Sequence, residues 1–488
     1  MTQASFEAAF IAPEEVTLKR LDANFYRATY RQAAQRAARL PSAPLSSLVK
    51  AGTVITYGVI KSVQIESGVP MLRIQNLQSG FADADGAVRI SAEQHQGFSR
   101  SSLSGGEVLI AIGGYVGVAA KYPNDGPIAN INQHVAKADI DPRRANDYYV
   151  LAYLWSQTGT LLLQRTVTGT VQAGISLGDL RAFALPLPDR RIQDYIGAKV
   201  ELAERCRAVA MQCESKSSDL LRDGLGQSTD DILTTLPADG ILPTGAFTTR
   251  VDADLLRNRL DPSGYHPTLI ALQAWASTKK DLFTPLRKLV TAETSKRSRV
   301  GKNCSFFVSV LHLNDRGFLD EDAARAYRPE SGGREARSMD VLVSCINPAA
   351  NRIGVCDFGS EAGGCSPEFS ILRARNGVDP NYVAFALRTE LCRTQLLHLG
   401  RGTSSSRRRV DESELLDVLV PTVECASAIA KTVRRGHVLS AASVRLINEA
   451  KADVEALIDG TLDEQAILAG TLKAPTANDI PELAEDGA

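Results

Sequence analysis

Arg20-Leu21-Asp22-Ala23-Asn24-Phe25-Tyr26 returns later in the chain as Arg259-Leu260-Asp261-Pro262-Ser263-Gly264-Tyr265, at an offset of 239 residues. Each copy is trailed by Pro-Leu, at Pro44-Leu45 and at Pro285-Leu286. Farther on, Val108-Leu109-Ile110 answers to Val341-Leu342-Val343, Tyr149 and Leu154 to Tyr382 and Leu387, and Gly169-Thr170 to Gly402-Thr403, all at an offset of 233. Leu180 and Pro186 then match Leu415 and Pro421. Anchors that keep one order while their offset drifts only between 233 and 241 mark a duplicated unit of roughly 200 residues. A unit of that size is a domain and not a solenoid repeat.

Each copy opens with a helical stretch, Tyr30 to Leu40 and Pro267 to Thr278. Short apolar runs follow, such as Pro70 to Ile74, Val108 to Ile112 and Phe306 to Leu311, which read as strands separated by turns. Helices are interspersed at Tyr148 to Gln164 and Asn381 to Leu397, so the domains are α+β. After Pro186-Leu187-Pro188 a long helix is expected from Arg190 to Asp223, ended by Gly224. Its heptad a positions are Ile192, Lys199, Cys206, Cys213 and Leu220, and its d positions Tyr195, Leu202, Val209 and Lys216. A second long helix follows Pro421 and stops at Gly460, with Ile429, Val433, Ile447, Val454 and Leu457 on one side and a small, polar middle from Gly436 to Ser443. At a rise of 1.5 Å per residue these helices are about 50 and 58 Å long, and amphipathic helices of that length need a partner stripe. Each is expected to be the other's partner, packed antiparallel. The chain thus reads as a first domain with an N-terminal helical arm (1–188), a long spacer helix (189–225), a linker (226–250), a second domain (251–420), a second spacer helix (421–460) and a tail (461–488), with disorder expected from Ala474 to Ala488.

Composition bounds the function. In 488 residues, 44% hydrophobic and 23% charged side chains are ordinary for a globular protein, and no apolar run is long enough to span a bilayer. With no signal-peptide pattern at the start, a cytoplasmic location and no membrane partner are expected. None of the eight cysteines forms a Cys-x-x-Cys pair and no histidine stands at metal-ligand spacing, so no metal is expected. Net charge of −1 argues against a histone-like binder, but the charge is segregated: Leu286 to Asn303 and Leu391 to Val410 each carry +5.

These residues resemble a known family, the specificity subunits of type I restriction-modification systems. The resemblance rests on Arg20-Leu21-Asp22, Tyr57-Gly58-Val59, Pro70-Met71-Leu72-Arg73-Ile74-Gln75-Asn76-Leu77, Gly106-Glu107-Val108-Leu109-Ile110, Asn132-Gln133-His134-Val135, Gly169-Thr170-Val171-Gln172, and Leu185-Pro186-Leu187-Pro188 with Gln193 opening the long helix. The second half keeps the apolar strand, Gly402-Thr403 and Val420-Pro421, but lacks the Asn-Gln pair and the glutamine after the proline. The resemblance implies two tandem target recognition domains, each reading one half of a split DNA sequence and separated by two long antiparallel helices. It also implies partners: double-stranded DNA, two methyltransferase subunits and, in a restricting system, a nuclease or translocase subunit. No cofactor and no catalytic residue come with it.

The residues themselves agree that the chain binds without doing chemistry. Asn347-Pro348-Ala349-Ala350 lacks the second proline and the aromatic of a base-gripping tetrapeptide, and reads as a turn. Ile112-Gly113-Gly114-Tyr115-Val116-Gly117 lacks the dinucleotide-binding spacing, Gly301-Lys302-Asn303 is no phosphate loop, and His134 has no neighbouring nucleophile motif. Phosphate contacts need Lys, Arg, backbone N–H groups or small hydroxyls on loops, and the segments with Thr170 and Gln172 and with Arg401, Thr403, Arg407, Arg408 and Arg409 supply them at equivalent places. Lys296, Arg297, Arg299 and Lys302 form a further basic stretch. Tyr57, Lys61, Arg73, Gln75 and Asn76 carry groups able to read base edges, and Lys121, Asn132, Gln133 and Arg165 complete the expected DNA-binding set. The competing reading is a protein-interaction scaffold in a defence complex, whose recognition domains have lost DNA reading.

Overall fold

The structure, a computed structural model, describes residues 20–169, 173–236, 248–251, 261–293, 304–330, 332–347, 350–402 and 407–484, with positions 11 and 16. It divides into two compact units, Met1–Cys206 with Ala442–Ala488, and Arg207–Ala441. The first is built from α1 (Ala28–Ala37), β1 (Ser42–Pro44), β2 (Thr56–Tyr57), β3 (Val69–Leu72), β4 (Val88–Ile90), α2 (Ala92–Gly97), β5 (Val108–Ala111), β6 (Ala119–Lys121), β7 (Asn130–Ile131), β8 (Val135–Ala138), α3 (Asp147–Trp155), α4 (Gln157–Arg165), α5 (Leu177–Ala182) and β9 (Ala184–Pro186). The long α6 (Arg190–Leu225) follows. The second unit contains α7 (Thr229–Thr235), α8 (Pro267–Ser277), β10 (Phe283–Pro285), β11 (Val290–Ala292), β12 (Phe306–Val308), α9 (Glu321–Ala326), β13 (Arg334–Ala336), β14 (Asp340–Ser344), β15 (Ile353–Cys356), β16 (Gly363–Cys365), β17 (Phe369–Ala374), α10 (Pro380–Arg388), α11 (Glu390–Leu399), α12 (Glu412–Leu415) and β18 (Leu419–Pro421). The long α13 (Ala426–Asp459) is followed by α14 (Glu464–Leu468) and α15 (Pro481–Ala484).

The same sheet is built twice. In the first unit the four-stranded order is β2-β8-β5-β6 and in the second β11-β17-β14-β15, with every neighbouring pair antiparallel. The central strands read as unbroken apolar runs because both faces are covered. Val108 and Ile110 enter one core cluster while Leu109 and Ala111 enter another, and Val341 and Val343 part from Leu342 in the same way. A two-strand ribbon brings the ends of each domain together, Ala43 opposite Leu185 and Thr284 opposite Val420. The repeated tyrosine latches the ribbon: the Tyr149 hydroxyl donates to the Pro186 carbonyl at 2.9 Å, and that of Tyr382 to the Pro421 carbonyl at 2.7 Å. The smaller sheets differ, with β3 central in the order β4-β3-β7 and β16 central in the order β12-β16-β13.

Both mid-domain helices expected as single elements are broken in two, at Ser156 and at Thr389. Each of these residues is extended, with ψ of 159° and 151°, and Ser156 accepts the Gly159 N–H at 3.0 Å to cap α4.

The long helices α6 and α13 pack together. In the first unit Lys199 pairs with Asp453, and the Ser443 hydroxyl donates to the Ala203 carbonyl at 2.8 Å. In the second, Gly436 lies against Cys213, and the Cys425 thiol reaches the Leu220 carbonyl. Rising numbers on one helix therefore meet falling numbers on the other, which is the antiparallel arrangement. Of the expected a positions Ile192, Lys199, Cys206 and Cys213 are buried and Leu220 is not; of the expected d positions only Leu202 is, and Ile196, Ala203, Ser217 and Leu221 are buried beside them. Small residues there let the backbones approach, which is why the patternless middle of α13 is small. Gly224 does not end α6; it lies inside the helix against Val423, and the turn to a positive φ of 77° comes at Gly226.

The C-terminal part of α13 completes the first unit's core. Ile192, Ile196 and Val200 are buried with Val454, Leu457 and Ile458, a burial worth on the order of 10 kcal/mol before the entropy of ordering the chain is subtracted. The Glu455 carboxylate receives the Thr158 N–H at 2.7 Å and the Arg36 guanidinium at 2.9 Å. Helices also form within the segments expected as linker and tail. Within 226–250, α7 buries Ile232 in the second unit's core. Within 474–488, the Thr476 N–H and hydroxyl both donate to Asp479 and cap a turn, after which Ile480 is 4% exposed and α15 forms. Leu236, directly after α7, is also buried in the second unit's core.

Candidate nucleic-acid interface

In the first unit several loops meet at one edge. The β5–β6 turn has positive φ at Gly114 (69°) and Gly117 (93°), a backbone only glycine adopts freely. Gly113 bridges Gly174, which also bridges Thr168 and so closes a hairpin around Gly169. The place of a Cβ on Gly113 lies 2.8 Å from Nδ1 of His134, and on Gly114 3.3 Å from Cδ1 of Ile74. Val59 bridges Asn132. The turn, the hairpin, the Asn132–His134 loop, the Tyr57–Lys61 segment and the helical turn at Ile74–Gly80 are therefore contiguous.

This edge gathers Tyr57, Lys61, Gln75 and Gln133, all exposed. Lys61 holds a positive φ of 51°, and Arg73 is partly exposed with its Nε enclosed. Asn132 is half-buried, and its side chain accepts the His134 N–H at 3.1 Å. Two expected contacts are withdrawn into the fold. Asn76 is 5% exposed and its Oδ1 accepts the Arg73 N–H at 2.9 Å, so it closes a turn. Lys121 is fully buried, its ammonium held by Asp147 at 2.5 Å and by the Gly106 carbonyl at 2.9 Å, because its strand faces the core.

Arg165 lies 4.0 Å over the Phe25 ring and donates to the Phe25 carbonyl. The repeated Arg20 braces the same place, its guanidinium donating to the carbonyls of Arg165, Thr166 and Val167, each at 3.1 Å. These are carbonyls that the end of α4 leaves without helical partners, and they lead directly into the hairpin. Thr170 and Gln172 lie outside the described residues, as do Thr403, Lys296, Arg297, Arg299 and Lys302.

In the second unit the corresponding turn and hairpin meet in the same way. Arg401 and Ile346 both bridge Arg409, and the Asn347 N–H donates to the Arg408 carbonyl at 2.8 Å. Gly169 and Gly402, each directly after a bridging residue, both have positive φ. Asn347 sits in the β14–β15 turn, as the motif reading expects. The arginines are not equivalent. Arg401 is paired with Asp411 at 3.1 Å and Glu414 at 2.9 Å, Arg409 faces Glu368 at 3.7 Å, Arg408 donates to the Ser263 hydroxyl at 2.9 Å, and Arg407 is exposed. Under this loop His398 stacks on His266 with ring centres 3.9 Å apart. Burial, then the positive charges of His266 and Arg408, push the His398 imidazole down to about 4.

Sequence reasoning missed Tyr115, 79% exposed at the tip of the β5–β6 turn, and the exposed Ile60 and Val63. The signal was present, since glycines flanking an aromatic mark a loop tip. Elsewhere, burial pushes the Cys206 thiol up to about 11 and those of Cys365 and Cys392 to about 12, which holds them protonated and poorly nucleophilic. Among the described residues no acidic, histidine or cysteine cluster could hold a metal, and no helix is long and apolar enough to cross a membrane.

No family model and no curated protein matches the chain. Solved structures do. A type I restriction-modification S subunit from M. genitalium is similar at 10% identity and a TM-score of 0.39, over 86% of this chain and 94% of that one. The HsdS subunit from Thermoanaerobacter tengcongensis is similar at 16% identity and a TM-score of 0.27, over 86% and 97%. A structure described as the basis of complex assembly and conformational transition of the type I restriction-modification system is similar at 14% identity and a TM-score of 0.28, over 87% and 98%.

Proposed function

We propose that this chain is the DNA-specificity subunit of a type I restriction-modification system, with two tandem target recognition domains that each read one half of a split sequence. The long helices set the unspecified gap between the halves. The subunit directs two methyltransferase subunits, and in a restricting complex a nuclease or translocase, to its target. It is cytoplasmic, takes no cofactor and does no chemistry itself.

One observation carries this reading. The four-stranded sheet, the tyrosine latch and the turn-and-hairpin pair all occur twice, so two polar loops rise from equivalent places on two like scaffolds. Bipartite recognition needs this duplication, whereas a scaffold does not. Methylome sequencing of cells with and without the chain tests it. The expected result is a methylated split motif that vanishes with the chain, and a purified complex whose DNA affinity falls steeply with salt as condensed counterions are displaced. A complete complex that methylates no split motif and binds no duplex would leave the scaffold reading in its place.

A further inference from the structure

One more turn recurs, and the sequence does not announce it. After β3 the Arg73 N–H donates to Asn76 Oδ1 at 2.9 Å; after β12 the Ser309 N–H donates to His312 Nδ1 at 3.1 Å. The two turns lie 236 residues apart, within the drift of the other anchors. Each follows a strand with a parallel neighbour, β7 for β3 and β16 for β12. Each also leans on the turn that ends the larger sheet. The place of a Cβ on Gly114 lies 3.3 Å from Ile74, and Arg352 of the β14–β15 turn donates to the Val310 carbonyl at 3.1 Å. Ile74 therefore answers to Val310, and Gln75 to Leu311. An amide in one copy and an imidazole in the other share an acceptor at the same reach, so the fold is kept while the letters differ. Burial holds the His312 imidazole below its ordinary value, which leaves Nδ1 free to accept.

The tip of the turn is where the copies diverge. In the first unit it is Gln75, an exposed amide able to read a base edge, and in the second it is Leu311, 79% exposed. The leucine stands on a fixed base. Its N–H donates to Ser309 Oγ at 3.4 Å, the Asp320 N–H donates to the His312 carbonyl at 2.8 Å, and the Tyr327 ring lies edge-on to His312 with centres 5.4 Å apart. Its surroundings are charged: Arg352 is partly exposed beside it, the β14–β15 turn leads to the exposed Arg407 and Arg409, and Asp315 and Arg316 are exposed a little farther along the chain. A lone exposed leucine is ordinary on ordinary surface. This one shares an edge with arginines suited to phosphates, at the place where the first unit presents an amide.

Resting on the DNA-reading function above, we propose that Leu311 is a specificity-determining residue of the second unit, entering the groove where Gln75 does in the first and packing on a base edge without hydrogen bonding it. Its discrimination is by exclusion. A polar group that a wrong base turns toward the leucine loses its water and gains no partner. Full burial of a leucine is worth roughly 10–100-fold in affinity, and because no charge is involved that share carries no salt dependence.

The test measures duplex binding by the complete complex with its methyltransferase subunits, on its split site and on duplexes changed one base pair at a time. Leu311→Ala should bind the site about tenfold more weakly with an unchanged salt slope, and should lose the parent's discrimination at one position of one half-site. Leu311→Gln should prefer a different base at that same position. Gln75→Ala should lose discrimination at one position of the other half-site. Co-purification with the methyltransferase subunits reports assembly of each variant. Parent-like affinity and discrimination in Leu311→Ala, a changed salt slope, or a loss spread over both half-sites overturns the inference while leaving DNA reading intact. Loss of co-purification in Leu311→Ala overturns it in favour of a protein-docking role for the turn. If the parent complex binds no duplex, it is the DNA-reading function that fails.

Discussion

Arg20→Ala removes one side chain that serves three carbonyls. The Arg20 side chain is 10% exposed, its three bonds to Arg165, Thr166 and Val167 are each 3.1 Å, and its guanidinium lies 4.5 Å from the Phe25 ring. At about 1 kcal/mol net for each bond, and little for the pair with the half-exposed Asp22, the loss is about 3 kcal/mol. Arg20→Lys keeps the charge but not the fork and should lose roughly half as much. The chain offers a clean readout, because its two tryptophans fall one in each unit, Trp155 and Trp275. In a Trp275→Phe background, urea unfolding followed by Trp155 fluorescence reports the first unit alone. With a slope near 3 kcal/mol per molar, the midpoint should fall by about 1 M for Arg20→Ala. Because Val167 leads into the hairpin, DNA affinity should fall as well. A midpoint within about 0.2 M of the parent's would show that these carbonyls are served equally well by water and that the repeated arginine has another purpose.

Further outcomes rest on the same geometry. Replacing Arg407, Arg408 and Arg409 together by alanine should weaken binding to every duplex and lower the salt slope by about one to three units, roughly one for each phosphate no longer neutralised; an unchanged slope in a filter-binding titration would return the trio to ordinary surface. Tyr149→Phe and Tyr382→Phe each strand a buried proline carbonyl and should each cost about 1–2 kcal/mol, read by Trp155 and Trp275 in turn; a cost in one unit only would break the equivalence of the latches. The His398 imidazole is depressed in the folded state to about 4 from an unfolded value of 6.5, so the unfolded chain binds the proton first. Its contribution is complete above pH 6.5 and is lost as pH falls toward 4, by about 1–2 kcal/mol after allowing for its partial exposure. Burial, then the charge of Arg388, also holds the His437 imidazole of this unit down to about 4, so unfolding of the second unit followed by Trp275 should show both contributions, and His398→Phe should remove only its own share of the slope.

The recurring sheet order was legible in the primary structure because anchors that make backbone-level features recur at similar offsets. Tyr149 and Tyr382 latch ribbons, Gly169 and Gly402 hold positive φ, and the paired apolar runs become central strands. Such features depend on local geometry and on one residue type, and so survive where side chains around them have changed. The long helices were legible for the same reason: an apolar stripe at helical period runs along the 36-residue α6 and along both ends of the 34-residue α13, either side of its small middle. Tertiary structure decided which polar residues reach solvent. Asn76 and Lys121 have the same donors and acceptors as the exposed Gln75 and Lys61, yet one closes a turn and the other is buried against Asp147. The difference lies in which face of a strand or turn each occupies, and that depends on packing partners distant in sequence. Burial of Ile232 and Ile480, and the shift of the α6 seam to Ala203 and Ser217, were hidden for the same reason. An apolar residue in a polar stretch is buried only when distant parts of the chain return to it, and a small residue becomes a seam only when a second helix comes close enough to need one.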